Sequence, residues 1–254
     1  MPVAHARVPV VPARLDPRRS AFVGAGREGL PRLRARAFPP RAPRAPMASS
    51  TPSPLLGAMD PAIVGDRGPL HVRTPLLLSQ PMSAALGRDV YVKLDALQPS
   101  GSFKLRGIGY ACQAAVRRGA TTLVSSSGGN AGLAVAYSGQ RLGAPVAVVV
   151  PETTPEFIRD RLRSYGADVI VHGSQWSEAN AEAERVAERL NGALVHPFEG
   201  ETTWIGHATV IHEIADDLAA LGAPPDRIRP SAVVTCVGGG GLLAGVLRGL
   251  REVG

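Results

Sequence analysis

The sequence predicts a doubly wound α/β fold, a parallel sheet covered by helices on both faces, and three observations carry that reading. Short apolar runs of strand length recur at 122–126, 146–150, 169–172 and 232–237, as expected of strands buried on both faces. Stretches long enough for helices separate them, so the connections are right-handed crossovers between parallel strands. Segments rich in Gly or Ser follow the first and last of these runs, at 125–132 and 237–242. Those are the carboxyl ends of strands, where such sheets bind their ligands.

Taken in order, residues 1–65 read as a disordered extension. Residues 1–46 hold ten Arg against Asp16 and Glu28, nine of the 23 Pro and a single Ser. That composition suits a disordered tail, or translated leader sequence ahead of a start at Met47 or Met59, better than an amphipathic import helix. The net +8 of this arm accounts for the overall +7 and the pI near 10.2. The other 208 residues carry 18 basic and 19 acidic groups, which removes the signal of a nucleic-acid binder.

Residues 65–75 read as irregular, and Val90–Leu94 alternates like a strand with Val90, Val92 and Leu94 on one face. The clearest helix is Ser177–Leu190. Ala179, Ala183, Val186 and Leu190 line one side and Glu178, Glu182, Arg185 and Arg189 the other. No apolar run approaches the roughly 20 residues of a membrane span. The two cysteines, Cys112 and Cys236, read as reduced thiols. His172, His196 and His212 show no ligand spacing with them, so no metal site is expected.

Lysine usage is the most informative feature of composition. Of 28 basic residues only Lys93 and Lys104 are Lys. Arg cannot become a neutral amine nucleophile, so these two are the candidates for covalent chemistry. In Pro99-Ser100-Gly101-Ser102-Phe103-Lys104, Lys104 falls at the start of a helix, where the helix dipole and partial burial favour the neutral amine.

Ser125-Ser126-Ser127-Gly128-Gly129-Asn130-Ala131-Gly132 lies between a strand and a helix. Its hydroxyls and first-turn amides suit a carboxylate, and Asn130 suits a phenolate-like oxygen. Val237-Gly238-Gly239-Gly240-Gly241-Leu242 exposes successive N–H groups at a helix start, a phosphate cradle without a basic side chain. It lacks the Gly-Lys-Ser/Thr of a P-loop. An imine-forming Lys, a carboxylate turn with an Asn and a phosphate nest together describe what pyridoxal phosphate bound to an amino acid requires.

These motifs, with Trp204-Ile205-Gly206-His207-Ala208 and Leu242-Leu243-Ala244-Gly245, resemble the serine dehydratase and serine dehydratase-like group of fold-type-II pyridoxal-phosphate enzymes, over residues 68–254. The lysine motif alone would also admit threonine dehydratases and serine racemases. Asn130-Ala131-Gly132 and the Trp204–Ala208 segment narrow the match.

The resemblance implies two doubly wound α/β domains with the cofactor in the cleft between them. The small domain would be 104–200, and the large one 66–103 with 201–254, incomplete because the family pattern continues past Gly254. It implies that Lys104 holds the cofactor as a Schiff base and removes the Cα proton, and that Phe103 packs on the pyridine ring. Asn130 would bond the ring O3′, the backbone of Gly238, Gly239, Gly240, Gly241 and Leu242 would hold the phosphate, and Ser127, Gly128 and Ala131 would receive the substrate carboxylate.

It further implies elimination of water and ammonia from L-serine or L-threonine, a lyase of amino acid catabolism and gluconeogenesis. A monovalent cation, a homodimer when full length and no nucleic-acid or membrane partner are also implied. The setting would be cytoplasmic, or mitochondrial or plastid if residues 1–46 are an import signal. An inactive fragment or a regulatory partner of full-length subunits is the alternative. His207 reads as a structural hydrogen-bonding residue rather than a proton carrier, Trp204 as core, and Phe198-Glu199-Gly200-Glu201 as a departure from the expected Phe-Asp-x-Pro.

Overall fold

The computed structural model describes residues 59–224 and 228–254 of the 254-residue chain. In chain order the elements are α1 (Pro61–Val64), β1 (Leu76–Leu78), α2 (Gln80–Leu86), β2 (Tyr91–Lys93), α3 (Lys104–Arg117), β3 (Leu123–Ser125) and α4 (Asn130–Leu142). They continue with β4 (Val146–Val150), α5 (Glu156–Ser164), β5 (Asp168–Val171), α6 (Trp176–Arg189), β6 (Ala193–Leu194), α7 (Glu201–Ala220) and α8 (Gly241–Glu252).

Four strands form one parallel sheet in the order β5-β4-β3-β6. The alternation of β4 shows why it is buried on both faces. Val146, Val148 and Val150 join Leu123 and the apolar residues of α3 and α4 in one cluster. Ala147 and Val149 join Val124 and Ala179, Ala183 and Val186 of α6 in another. The doubly wound reading therefore holds, with α6 covering the sheet through the side expected of it. Leu190 is the exception, 42% exposed just beyond the last helical turn.

Three expectations need correction. Residues 59–65, placed in the extension, fold onto α3. Asp60 caps α1 by accepting from the Ala62 N–H, its own N–H donates to the Tyr110 hydroxyl, and Met59 and Val64 are buried with Tyr110. The remainder of the extension, 1–58, lies outside the described residues.

Residues 232–237 form no strand, because none of the described strands lies alongside to supply a ladder, and Val234 is 98% exposed. The run at 90–94 contains the strand β2, paired antiparallel with β1, but its apolar residues do not make one buried face. Val92 is exposed, whereas the alternate Lys93 side chain turns inward. There it donates to the Thr74 carbonyl and pairs with Glu213 and Asp217, so the inward position is set by charge and not by hydropathy.

Helix α7 runs between α3 and α8, and glycines let the three backbones close. A Cβ on Gly206 would overlap the Arg106 carbonyl oxygen, and one on Gly245 would overlap His207 Cβ. Both positions are well inside van der Waals contact, so only Gly permits the approach. This packing brings the first turn of α3 and the first turn of α8 to the same helix.

Candidate active site around Lys104

Lys104 is the first residue of α3, and its Nζ donates a 2.6 Å hydrogen bond to the Pro197 carbonyl. Burial pushes the amine below the ordinary ammonium range, with Cys236 opposing. Two residues further on, Arg106 fixes that turn. Fully buried, it makes paired hydrogen bonds to Asp95 at 2.7 and 2.8 Å and to Glu213 at 2.7 and 2.9 Å, and contacts Thr74 and Thr209. Burial alone would raise the pKa values of Asp95 and Glu213, but the hydrogen bonds and charge of Arg106 outweigh it, and both carboxyls stay below their usual range. Lys93 belongs to this network, so the second candidate for covalent chemistry is structural.

Phe103 precedes Lys104, and its ring lies 5.5 Å from the His207 ring, tilted by 54°. His207 is fully buried, and burial followed by the charge of Lys104 lowers its pKa to about 3, so the ring is neutral. Neither of its nitrogens has a hydrogen-bond partner among the described residues. The structural hydrogen bond expected of His207 is therefore absent there: Gly107 lies against the Nε2 edge of the ring and offers no side chain to it.

The glycine segment reaches the lysine through residues 197 and 198. A Cβ on Gly239 would overlap the Phe198 ring and one on Gly241 the Phe198 carbonyl oxygen, while Gly238 and Gly240 meet nothing within 4 Å. Gly240 caps α8 at φ +85°, a left-handed conformation that favours glycine. Leu242 packs its side chain with Val210, Ile211 and Val246, leaving only its backbone for the loop. The sequence reading missed Phe198 as a site residue. Trp204, expected in the core, is 37% exposed and donates from Nε1 to the Phe198 carbonyl.

The serine-rich turn stands at the carboxyl ends of β3 and β4. Ser126, Ser127, Gly128 and Gly129 line an open cleft of about 380 Å³ with Thr153, Thr154 and Trp176. Lys104, Phe103 and the glycine segment do not line it. Ser126 is committed elsewhere, donating to Asn180 Oδ1 at 2.7 Å. Ser127 Oγ accepts from the Gly129 N–H at 3.2 Å and retains its own proton to donate. A Cβ on Gly128 would press on Thr154 at 2.9 Å, and one on Gly132 would collide with the Ser127 carbonyl oxygen, so those glycines serve the turn itself. Asn130 opens α4 with its side chain exposed, and Ala131 is buried behind it.

The family model described as pyridoxal-phosphate dependent enzyme matches residues 69–254. The chain is 47% identical over 186 residues to a Homo sapiens protein named serine dehydratase-like, covering 73% of this chain and 54% of that one. It is 44% identical over 186 residues to a Mus musculus L-serine dehydratase/L-threonine deaminase, with the same coverage. Among solved structures, a fungal L-serine ammonia-lyase from Rhizomucor miehei superposes with a TM-score of 0.64 at 39% identity, covering 72% of this chain and 56% of that one. The chain spans about half the length of the curated relatives it matches.

Proposed function

The chain belongs to the pyridoxal-phosphate dependent enzyme family, and on that premise we propose that it contributes the lysine and phosphate-binding part of an L-serine or L-threonine ammonia-lyase. The observation that carries this reading is the half-buried Lys104 amine held on Pro197, next to the residue on which the glycine segment packs.

The residues present fit the cofactor. Gly238 and Gly240 leave open space that a Cβ would fill, at the start of a twelve-residue helix whose first amides lack intrahelical partners. Lys104 would hold the aldehyde carbon, the Gly238–Leu242 backbone the phosphate, Asn130 the ring oxygen and Phe103 the ring face. Ser127, with Gly128 and Ala131, would receive the substrate carboxylate. When bound, the cofactor supplies an electron sink that acidifies the substrate Cα.

The chain's own part is then proton handling and orientation. Burial favours a neutral Lys104 amine, which is the form that attacks a carbonyl carbon and the form that accepts the Cα proton. Neutral His207 beside it adds no second positive charge. Serine would lose its α-proton to Lys104 and its β-hydroxyl as water, and hydrolysis would yield pyruvate and ammonia; threonine would yield 2-oxobutanoate. A homodimer, a cytoplasmic setting and a monovalent cation belong to the same proposal, supported by the resemblance of the motifs.

The test is the absorbance spectrum of the 254-residue chain with pyridoxal phosphate, before and after L-serine, with pyruvate followed and Lys104→Ala alongside. A long-wavelength band that requires Lys104, with pyruvate release, supports the ammonia-lyase. A band without turnover limits the chain to binding. A soluble wild-type chain with no band overturns the reading.

A further inference from the structure

Between β6 and α7, residues 196–198 are anchored more tightly than a connection requires. His196 Nδ1 accepts from the N–H groups of Phe198 at 3.4 Å and Glu199 at 2.9 Å, and its ring stands edge-on to Phe198 at 4.6 Å. The Phe198 carbonyl accepts from Trp204 Nε1 at 3.1 Å, and the Pro197 carbonyl accepts from Lys104 Nζ. Against this segment the glycines alternate. Gly239 and Gly241 have their Cβ positions blocked by Phe198, and Gly238 and Gly240 have theirs open. One side of the loop is thus seated on Phe198 while the other is free to approach a ligand. The loop has no side chains of its own to hold its shape, so its N–H directions depend on what it rests upon.

We propose that Phe198 is a positioning residue for the phosphate-binding backbone at 238–241, and that Pro197–Phe198 couples occupancy of that backbone to the Lys104 amine. The inference rests on the cofactor reading above and deepens it. Phe198 touches neither the phosphate nor the reacting atoms in this scheme; it acts through the loop. The coupling is reciprocal: an anion that orders the loop on Phe198 also orders the carbonyl to which Lys104 is tied.

The experiment divides the cofactor into two pieces. Binding of pyridoxal phosphate, and of pyridoxal with and without inorganic phosphate, is measured by absorbance on the full chain, on Phe198→Leu and on Trp204→Phe. In the wild type, inorganic phosphate is expected to strengthen pyridoxal binding about fivefold, the lower end of ordinary coupling between sites. Phe198→Leu is expected to weaken pyridoxal phosphate about fivefold, to leave pyridoxal alone within about twofold, and to abolish the effect of phosphate, as removal of that one coupling would.

Equal loss for both ligands, or loss for neither, overturns the proposal. If Phe198→Leu does not fold, Trp204→Phe decides: it keeps a six-membered aromatic ring at a partly exposed position and removes the pyrrole part of the indole with the N–H donated to Phe198. A selective loss there supports the proposal, and an unselective result overturns it. A wild type that binds pyridoxal phosphate while the variants fail to discriminate refutes this inference alone. A folded wild type that binds neither cofactor nor phosphate refutes the cofactor reading as well.

Discussion

The amine of Lys104 and the carbonyl of Pro197 are 2.6 Å apart although 93 positions separate them in the chain, and that bond joins the start of α3 to the segment on which the glycine loop rests. Lys104 thereby acquires a defined position without an acidic partner among the described residues. A carboxylate at that place would hold the ammonium charged, whereas a neutral carbonyl and burial leave the amine able to lose its proton.

Replacing Lys104 by Met should therefore cost little stability and all chemistry. The lost hydrogen bond is worth about 1 kcal/mol, and removing a partly desolvated ammonium offsets it. Urea unfolding should give a stability within about 1 kcal/mol of wild type, while the cofactor band and pyruvate release vanish. A large loss of stability would show that Lys104 is a structural lysine.

Gly239→Ala and Gly238→Ala should differ sharply although they are neighbours. The first places a methyl inside the Phe198 ring's contact distance, and the second meets nothing within 4 Å. Overpacking of that kind costs about 1–3 kcal/mol, so thermal unfolding of Gly239→Ala should fall while that of Gly238→Ala stays near wild type. Equal melting temperatures would mean that Phe198 does not support the loop.

Arg106→Met should be the most destabilising single change near the site. It leaves Asp95, Glu213 and Lys93 without their central partner, and breaking a buried pair of this kind costs about 3–5 kcal/mol. Arg106→Lys, which keeps one charge but cannot form two paired hydrogen-bond sets, should recover only part of it. The check is chemical denaturation of both variants. Full recovery by Lys would show that charge, and not the guanidinium geometry, is what the network needs.

How much of this was legible beforehand depends on whether the signal was local. The Val146–Val150 strand and the Ala179–Ala183–Val186 face follow from period and composition, and the structure has both. Lys104 and the glycine segment could be singled out as candidates because a neutral amine and a side-chain-free anion cradle each demand a residue type that few other needs explain. Phe198 was not, since its role lies in contacts with Gly239 and Gly241, far along the chain, and a lone Phe carries no periodic or compositional mark. Lys93 was misjudged for a related reason. Rarity of Lys marks it, but whether a lysine is reactive or paired is decided by Glu213 and Asp217 on a distant helix.

Acid should unfold the protein through its buried histidines. His71 and His207 have pKa values lowered to about 4 and about 3, in both cases first by burial. Their unfolded forms titrate near 6.5, so below that pH the unfolded chain binds more protons and stability falls as pH drops. The loss continues to about pH 4 for His71 and about pH 3 for His207. Asp95 and Glu213, held below their ordinary range, add to the loss in the lower part of the same window. Each tenfold change in proton affinity corresponds to about 1.4 kcal/mol, so several kcal/mol are at stake, and urea midpoints measured from about pH 7 down to about pH 4 should decline steadily. A flat profile would mean that neither histidine is buried neutral.

His207 separates stability from function most directly. The Nε2 edge of its ring lies against Gly107 and the ring packs on Phe103, yet both nitrogens lack a partner among the described residues. An orphaned buried polar atom costs about 1–3 kcal/mol, and a phenyl ring, flat and only slightly larger, carries no such atom. His207→Phe should therefore raise the melting temperature of the chain measured without cofactor. If the melting temperature rises and cofactor binding is unchanged, the imidazole is dispensable and the site tolerates any flat ring. If it rises while the cofactor band weakens, the nitrogens serve the loaded site. A fall in melting temperature would mean either that buried water satisfies the nitrogens or that the larger phenyl ring overpacks the space beside Gly107, and His207→Leu, which adds no ring, separates the two.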